Sequence, residues 1–228
     1  MTQPADPPIR DAATILLIRR TSAGAAVLMG QRGAGAAFMP SKFVFPGGAL
    51  DAGDSAVPLA APLGAPCAAR LTEAPGAHAL AAAAIRELWE ETGLALGRPG
   101  DWPGAVPPDW AGFAAQGLVP DAAALRYVFR AITPPGRPRR FDARFFIADA
   151  AAVAGDPDDF THACDELSHL HWVPLAEARA LNLPFITEVV LSEAAALVEA
   201  TPDRPAEAPA FVPFFDNSGA ESVFRHIL

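Results

Sequence analysis

The amino-acid sequence predicts one domain of the α/β or α+β class, and three features carry that prediction. Residues 12–19 and 25–32 are rich in aliphatic and β-branched side chains, and the short turn between them predicts a hairpin of two strands. Residues 79–92 begin with an alanine-rich run, which favours a helix. Residues 141–148 place apolar side chains at alternate positions, as a strand does. The length of 228 residues suits a single domain over residues 1–228.

The composition predicts a chain that buries a core and carries an acidic surface. Hydrophobic residues make up 51% of the chain, and the formal net charge is −9. This charge argues against nucleic acid as a partner, because non-specific binding needs a basic face. The apolar run 12–18 is too short and wrongly flanked for a signal peptide or a membrane span, so we expect a cytoplasmic protein with no membrane partner. Cys67 and Cys164 are expected to be free thiols.

The other elements are predicted in chain order from turn residues and periodicity. A short strand at 43–45 stops at Pro46, and the two glycines that follow predict sharply bent backbone or a close approach. Residues 49–76 are expected to have little regular structure, and a short helix is expected near 108–116. The segment 122–131 is expected to be helical at first and extended later. A polar loop over 149–168, a strand at 169–173, a helix that begins at Pro174 and a helix over 185–200 are expected to follow.

The C-terminal stretch 201–228 is assigned to a helical extension. Its Pro-rich and then aromatic sequence is expected to pack on the body of the domain or on another subunit. A homodimer is therefore one expected assembly.

Three carboxylates at the end of the predicted alanine-rich helix are the leading candidates for chemistry. Glu87, Glu90 and Glu91 are spaced i, i+3 and i+4, so they emerge from one face of that helix. Carboxylate oxygens at this density suit a hard divalent cation. The alternative is a solvated acidic face, which is what charge clusters on helices usually are.

Two segments together resemble the Nudix box. They are Gly48 to Asp54, and Arg86-Glu87-Leu88-Trp89-Glu90-Glu91-Thr92-Gly93-Leu94, of which the second matches the box at every fixed position. The preceding Phe45-Pro46-Gly47-Gly48 is also similar to that family. The resemblance implies an α/β/α sandwich with a mixed β-sheet, a core at about 10–200, an insertion at about 55–78 before the catalytic helix, and the helical extension 201–228.

The chain departs from the box pattern in two places. The first glutamate of the pattern is replaced by Asp54, whose side chain is one methylene shorter. The stretch from Asp54 to Arg86 holds 31 residues where the family has seven, an insertion of 24. This insertion is expected either to form a lobe that shapes the mouth of the site or to decorate the surface.

The resemblance implies hydrolysis of a diphosphate linkage in a nucleoside diphosphate derivative, with Mg²⁺ or Mn²⁺ as cofactor. Glu90 and Glu91 are expected to be metal ligands, and Glu87 is either a third ligand or the base that activates water. An acid in a later loop, Asp165 or Glu166, is the other candidate for the base. Arg86 is expected to orient a carboxylate, either Asp54 or Glu90, since a guanidinium stays protonated.

Several residues are expected to contact a small nucleotide-type diphosphate substrate. The glycine pair lets backbone approach a phosphate or a metal, and a guanidinium fork suits phosphate. The candidates are Arg32, Gly47, Gly48, Asp54, Arg140 and Arg144, with Arg137 and Arg139 as weaker ones.

Substrate identity is where the sequence leaves alternatives open. The Arg140–Phe146 strand and the glycine lead-in are similar to the branch of the family that includes coenzyme A and acyl-coenzyme A diphosphatases. Hydrolysis of ADP-ribose or a dinucleotide is an alternative, and so is a Nudix domain that senses a ligand without turnover.

Overall fold

The computed structural model describes residues 6–219 and 221–228. Residues 1–5 and 220, which belong to the predicted domain 1–228, lie outside the described residues. Within the described part, nine of the strands form one mixed sheet and two others form a small separate ribbon. The strands are β1 (Ile9–Thr21), β2 (Gly24–Arg32), β3 (Phe43–Val44), β4 (Gly47–Ala49), β5 (Gly97–Pro99), β6 (Leu118–Pro120), β7 (Arg126–Ile132), β8 (Arg140–Asp149), β9 (Leu167–Pro174), β10 (Val212–Asp216) and β11 (Val223–Ile227).

The large sheet is built around β1. Its strand order is β11-β10-β7-β8-β1-β2-β3, with β4 paired to β1 and β9 paired to β2. The pairs β1–β8 and β7–β10 are parallel, and the other pairs are antiparallel. The predicted hairpin is present as β1 and β2, and its antiparallel register runs from Ile18 opposite Val27 to Thr21 opposite Gly24.

Helices cover both faces of this sheet. They are α1 (Ala65–Ala68), α2 (Gly76–Thr92), α3 (Ala111–Ala115), α4 (Leu175–Ala178) and α5 (Phe185–Glu199). Ile15 and Leu17 of β1 belong to the core cluster that contains α2, whereas Leu16 and Ile18 belong to the cluster that contains α5. Because β1 is buried on both faces, its sequence reads as a continuous apolar run. The predicted α/β/α sandwich with a mixed sheet is therefore confirmed.

The insertion between Asp54 and α2 is part of the core. Val57, Leu63, Cys67 and Leu71 are all nearly inaccessible and pack with α2 in one core cluster. Arg70 binds this segment to the C-terminal part of the chain, since its two Nη atoms donate to the carbonyls of Pro209 and Ala210, each at 2.7 Å. The insertion is thus more than the surface decoration that one interpretation of the sequence expected.

Two predictions about secondary structure are wrong. Residues 201–228 do not form a helical extension: they contribute β10 and β11, which extend the sheet from β7 onward. Residues 122–125 form a turn before β7 rather than the start of a helix. Over residues 201–228, pairing with the distant strand β7 decides the backbone conformation, which local sequence preferences do not report.

No helix among the described residues is long and apolar enough to cross a membrane.

Candidate functional site

The carboxylates of α2 stand on a helix whose other side is buried. The run Ala79–Ile85 is inaccessible, because its small side chains let the helix lie close to the sheet. The helix ends as predicted at Gly93, whose left-handed φ of 76° a glycine adopts without strain and whose N–H donates to the carbonyl of Trp89 at 2.8 Å. Glu87 and Glu91 are buried at 9% and 2% exposure, and the Glu90 side chain remains 34% exposed.

The glycine turn upstream touches these carboxylates directly. The N–H of Gly47 donates to Oε2 of Glu91 at 2.8 Å. A Cβ built on Gly48 would lie 2.5 Å from the carboxyl carbon and both oxygens of Glu87. The sequence predicted close approach of the backbone at this glycine pair, and the structure shows that the backbone approaches the helix carboxylates.

Arg86 donates hydrogen bonds to three carboxylates of the acidic cluster. Its Nε and Nη2 donate to the two carboxylate oxygens of Asp54 at 3.0 and 3.1 Å. Its Nη1 donates to Glu87 at 2.9 Å and to Glu90 at 3.1 Å. The expected contact with Asp54 or Glu90 is thus made with both. A buried guanidinium shared in this way keeps neighbouring carboxylates apart in fixed positions.

Burial strongly affects the acidity of this cluster. Burial raises the pKa of Glu87 to about 7, although the positive charge of Arg86 opposes the shift. Burial and the neighbouring charge of Glu87 raise the pKa of Glu91 well above its usual value. Burial also raises the pKa of Glu90. For Arg86, burial alone would lower the pKa, but contacts with Asp54, Glu87 and Glu90 outweigh it and raise the pKa.

The donor set of this cluster fits a hard divalent cation. Two desolvated carboxylates and a third, half-exposed one supply oxygen atoms, which Mg²⁺ and Mn²⁺ prefer. Burial is the main cause of their raised pKa values, and a bound cation would favour the ionised forms. Across residues 6–219 and 221–228, no three His, Cys, Asp or Glu side chains are grouped closely enough, as they stand, to hold one ion.

The loop before β9 brings Glu166 to the cluster. Glu166 Oε1 accepts from Nη2 of Arg32 at 2.7 Å. The loop that carries Glu166 is bonded to α2, since the N–H of Cys164 donates to the carbonyl of Glu90 at 2.9 Å. The charge of Glu166 contributes to the raised pKa of both Glu87 and Glu91. Asp165 and Glu166 are both exposed, but Glu166 is the one with the Arg32 ion pair and the effect on Glu87 and Glu91. Of the two loop acids, the structure therefore associates Glu166 with the cluster.

Three of the expected substrate contacts are engaged inside the protein. Asp54 is 1% exposed and is held by Arg86. The guanidinium of Arg140 donates to the carbonyls of Thr133 and Asn217 at 3.0 and 3.1 Å. Arg144 is 3% exposed and lies in a separate ion-pair network with Asp11 and Asp142. This geometry disfavours the prediction that these three residues bind substrate, because each is buried and held by partners within the fold.

The network around Arg144 runs along the α2 face of β8. Arg144 Nη1 donates to Asp11 at 2.5 Å and lies 3.3 Å from Asp142. Asp142 in turn accepts two hydrogen bonds from Arg130, at 2.9 and 2.7 Å. Sequence alone could not pair these residues, since their partners lie on different strands.

Two further acids near the cluster were missed by the sequence reasoning. The charges of Asp109 and Asp51 both contribute to the raised pKa of Glu90. Asp51 Oδ2 also lies 3.7 Å from Nη2 of Arg86. Asp51 stands inside the glycine segment that resembles the Nudix box, which is the one signal that could have identified it. Asp109 follows α2 by 17 positions in the chain, and nothing in its local sequence marks it.

Comparisons with known proteins agree with the fold and the motif. A Caenorhabditis elegans protein named nudix hydrolase 7 is 30% identical over 176 residues, which are 72% of this chain and 51% of that protein. The chain thus spans about half the length of this curated relative. The crystal structure of a NUDIX hydrolase from Alicyclobacillus acidocaldarius is 28% identical, with a TM-score of 0.62, over 90% of this chain and 100% of that one. No family model matches the sequence.

Proposed function

The chain belongs to the Nudix hydrolase family, and on that premise we propose that it is a metal-dependent diphosphatase acting on nucleoside diphosphate derivatives. The observation that carries the proposal is the carboxylate cluster of α2 against the glycine turn. Glu87 and Glu91 are buried without a full complement of positive charge, an arrangement that costs folding free energy and is typical of functional sites.

Glu87, Glu90 and Glu91 would hold Mg²⁺ or Mn²⁺. When bound, such a cation neutralises phosphate oxygens and lowers the pKa of a bound water. Arg86 favours the ionised forms of Glu87 and Glu90 and holds these carboxylates in place, because it bonds to both while Asp54 binds its other edge. The absence of a side chain at Gly48 lets the Glu87 carboxylate lie directly against the backbone of the glycine turn.

Glu166 is the proposed general base. It lies near Glu87 and Glu91, and its side chain is 52% exposed, so water can reach it. A positioned carboxylate at this place can accept the proton of an attacking water molecule. Glu87 is the alternative base, since its pKa of about 7 is suited to proton transfer near neutral pH.

For the substrate we propose coenzyme A or an acyl-coenzyme A. The support is the similarity of the glycine lead-in and of the Arg140–Phe146 strand to that branch of the family. ADP-ribose and dinucleotides are the competing substrates. A sensor domain without turnover is the competing function, and the retention of Glu87, Glu90 and Glu91 counts against it.

A hydrolysis screen tests this proposal. Purified protein is assayed with Mg²⁺ or Mn²⁺ against acyl-coenzyme A, coenzyme A, ADP-ribose, NADH, dinucleoside polyphosphates and nucleoside triphosphates. Binding of one of these compounds without turnover of any would favour the sensor.

The variant Glu90→Gln tests the metal assignment. We expect kcat to fall by about 100-fold or more, because a metal supplies several kcal/mol of charge stabilisation. The thermal unfolding temperature should change little, since the Glu90 side chain is 34% exposed. The matched control is Glu199→Gln at the exposed end of α5, which should keep wild-type kcat. Near-normal turnover by Glu90→Gln would refute the assignment.

A further inference from the structure

Glu166 is confined between two main-chain anchors. On one side, the N–H of Cys164 donates to the carbonyl of Glu90 at 2.9 Å, which ties the loop to the carboxylate helix itself. On the other side, Leu167 opens β9 directly opposite Arg32 at the end of β2. Only one residue separates Glu166 from the first anchor, and Glu166 precedes the second directly. The backbone that carries this carboxylate is therefore fixed relative to both α2 and β2.

An irregularity in the β2–β9 ladder sets the position of the second anchor. The register shifts between Met29 and Gln31. At the intervening Gly30, a Cβ would lie 2.8 Å from the Cβ of Leu167, so only glycine lets the strands come this close. On the facing strand His169 has a φ of 53°, an uncommon conformation for a residue with a side chain. Bulges of this kind re-aim side chains and occur near active sites.

The side chain of Arg32 completes the arrangement. Its Nη2 binds Glu166 Oε1 at 2.7 Å, and the Arg32 side chain is 17% exposed while that of Glu166 is 52% exposed. The better-buried guanidinium thus holds the more exposed carboxylate.

We propose that Arg32 is a positioning residue that fixes the Glu166 carboxylate in the loop bonded to α2. This inference rests on the proposed function, in which Glu166 serves as the general base. It differs from the expectation that Arg32 contacts the substrate phosphates, because here Arg32 acts through Glu166.

A double-mutant cycle separates the two roles. Steady-state kinetics are measured with the diphosphate compound that the wild-type chain hydrolyses fastest, for Arg32→Gln, Glu166→Gln and the double variant. Glu166→Gln is expected to lower kcat by about 100-fold or more, the usual contribution of a positioned base. Arg32→Gln is expected to lower kcat by about tenfold with KM changed less than about twofold, since misplacement of a catalytic group acts on the chemical step.

The decisive value is the effect of Arg32→Gln in the Glu166→Gln background. If Arg32 acts through Glu166, this second substitution changes kcat by less than about twofold, because residues that act as a unit are not additive. If Arg32 binds phosphate, KM rises by the same factor in both backgrounds, and the proposal is overturned. Arg32→Lys keeps a cation and is expected to recover part of the lost kcat.

Arg19→Gln is the matched control. Arg19 forms an ion pair with Asp158 in the same loop, also at 2.7 Å, with side chains 23% and 61% exposed. Loss of a surface ion pair of this kind is expected to leave kcat within about twofold of the wild type. An equal loss of kcat in Arg19→Gln and Arg32→Gln would show a general effect on the loop.

Hydrogen exchange gives a readout that needs no turnover. In Arg32→Gln the amide protection of residues 164–167 is expected to fall by about tenfold or more, while Arg19→Gln leaves it unchanged, since local opening reports the contacts that hold a segment. Absence of turnover in the wild type would refute the proposed function, whereas unchanged protection in Arg32→Gln would refute the positioning role.

Discussion

The acidity of Glu87 predicts that the metal-free protein loses stability as the pH rises. Its pKa lies at about 7 in the folded chain against an ordinary value of 4.5, so between these pH values the folded state holds a proton that the unfolded state has released. The free energy of unfolding therefore falls as pH rises through this window, by about 3 kcal/mol from this residue alone. For a chain of this size that corresponds to roughly 6–12 °C in the unfolding temperature.

Glu87→Gln removes the ionisation while keeping the shape of the side chain. Thermal unfolding of both proteins is followed in a chelating buffer from pH 4.5 to pH 8. Glu90 and Glu91, whose pKa values are also raised, add to the slope in both proteins, so the quantity of interest is the difference between the two slopes. Glu199→Gln, which removes an exposed carboxylate, should follow the wild type. Equal pH slopes for the wild type and Glu87→Gln would refute the reasoning.

Two further predictions concern the close contacts around the helix. The Cβ of Gly48→Ala would clash with the Glu87 carboxylate, which is the far end of a flexible side chain and can move aside. We therefore expect the unfolding temperature to change little. The displaced carboxylate should lower the metal affinity, measured by titration calorimetry, by about tenfold or more. Gly47→Ala is the contrast: its Cβ would meet the Cα of Thr14 at 2.6 Å, and since backbone cannot move aside, denaturant unfolding should show a loss of about 1–3 kcal/mol. Asp54→Glu restores the glutamate of the family pattern, but both oxygens of Asp54 already bind one edge of the Arg86 guanidinium, and Asp54 is only 1% exposed. The extra methylene should therefore destabilise the protein by about 1–3 kcal/mol in the same assay, and a gain in stability would show that the shorter side chain is a compromise.

The parts of the fold that sequence predicted well are those with local causes. The alanine-rich run and Gly93 define α2 and its end through helix propensity and a left-handed cap. The hairpin of β1 and β2 follows from its turn, and the alternation in β8 places Phe145 and Ile147 in the core cluster on the α5 face. Each of these signals acts within a few residues.

What sequence did not predict depends on partners far along the chain. The strand β10 contains Pro213 and follows a Pro-rich stretch, yet it pairs with β7, more than 80 positions earlier. The same limit applies to the site. The match to the box identified Glu87, Glu90 and Glu91. The sequence does not show, however, whether an arginine forms an ion pair inside the fold or is free to bind a phosphate. Arg144 illustrates this, since its partner Asp11 lies 133 positions away.

The pairing of β1 with β8 bears on the order of events as the chain is made. Ile9 lies opposite Arg140, and this parallel ladder runs to Ile18 opposite Asp149. Such distant pairings form late, because the entropic cost of closing the long intervening loop comes before any stabilising contact. During synthesis α2 leaves the ribosome well before β8, so its glutamates are then solvated and ordinary in acidity. The raised pKa values of the cluster thus require the folded chain, in which the glycine turn and the loop before β9 lie against the helix.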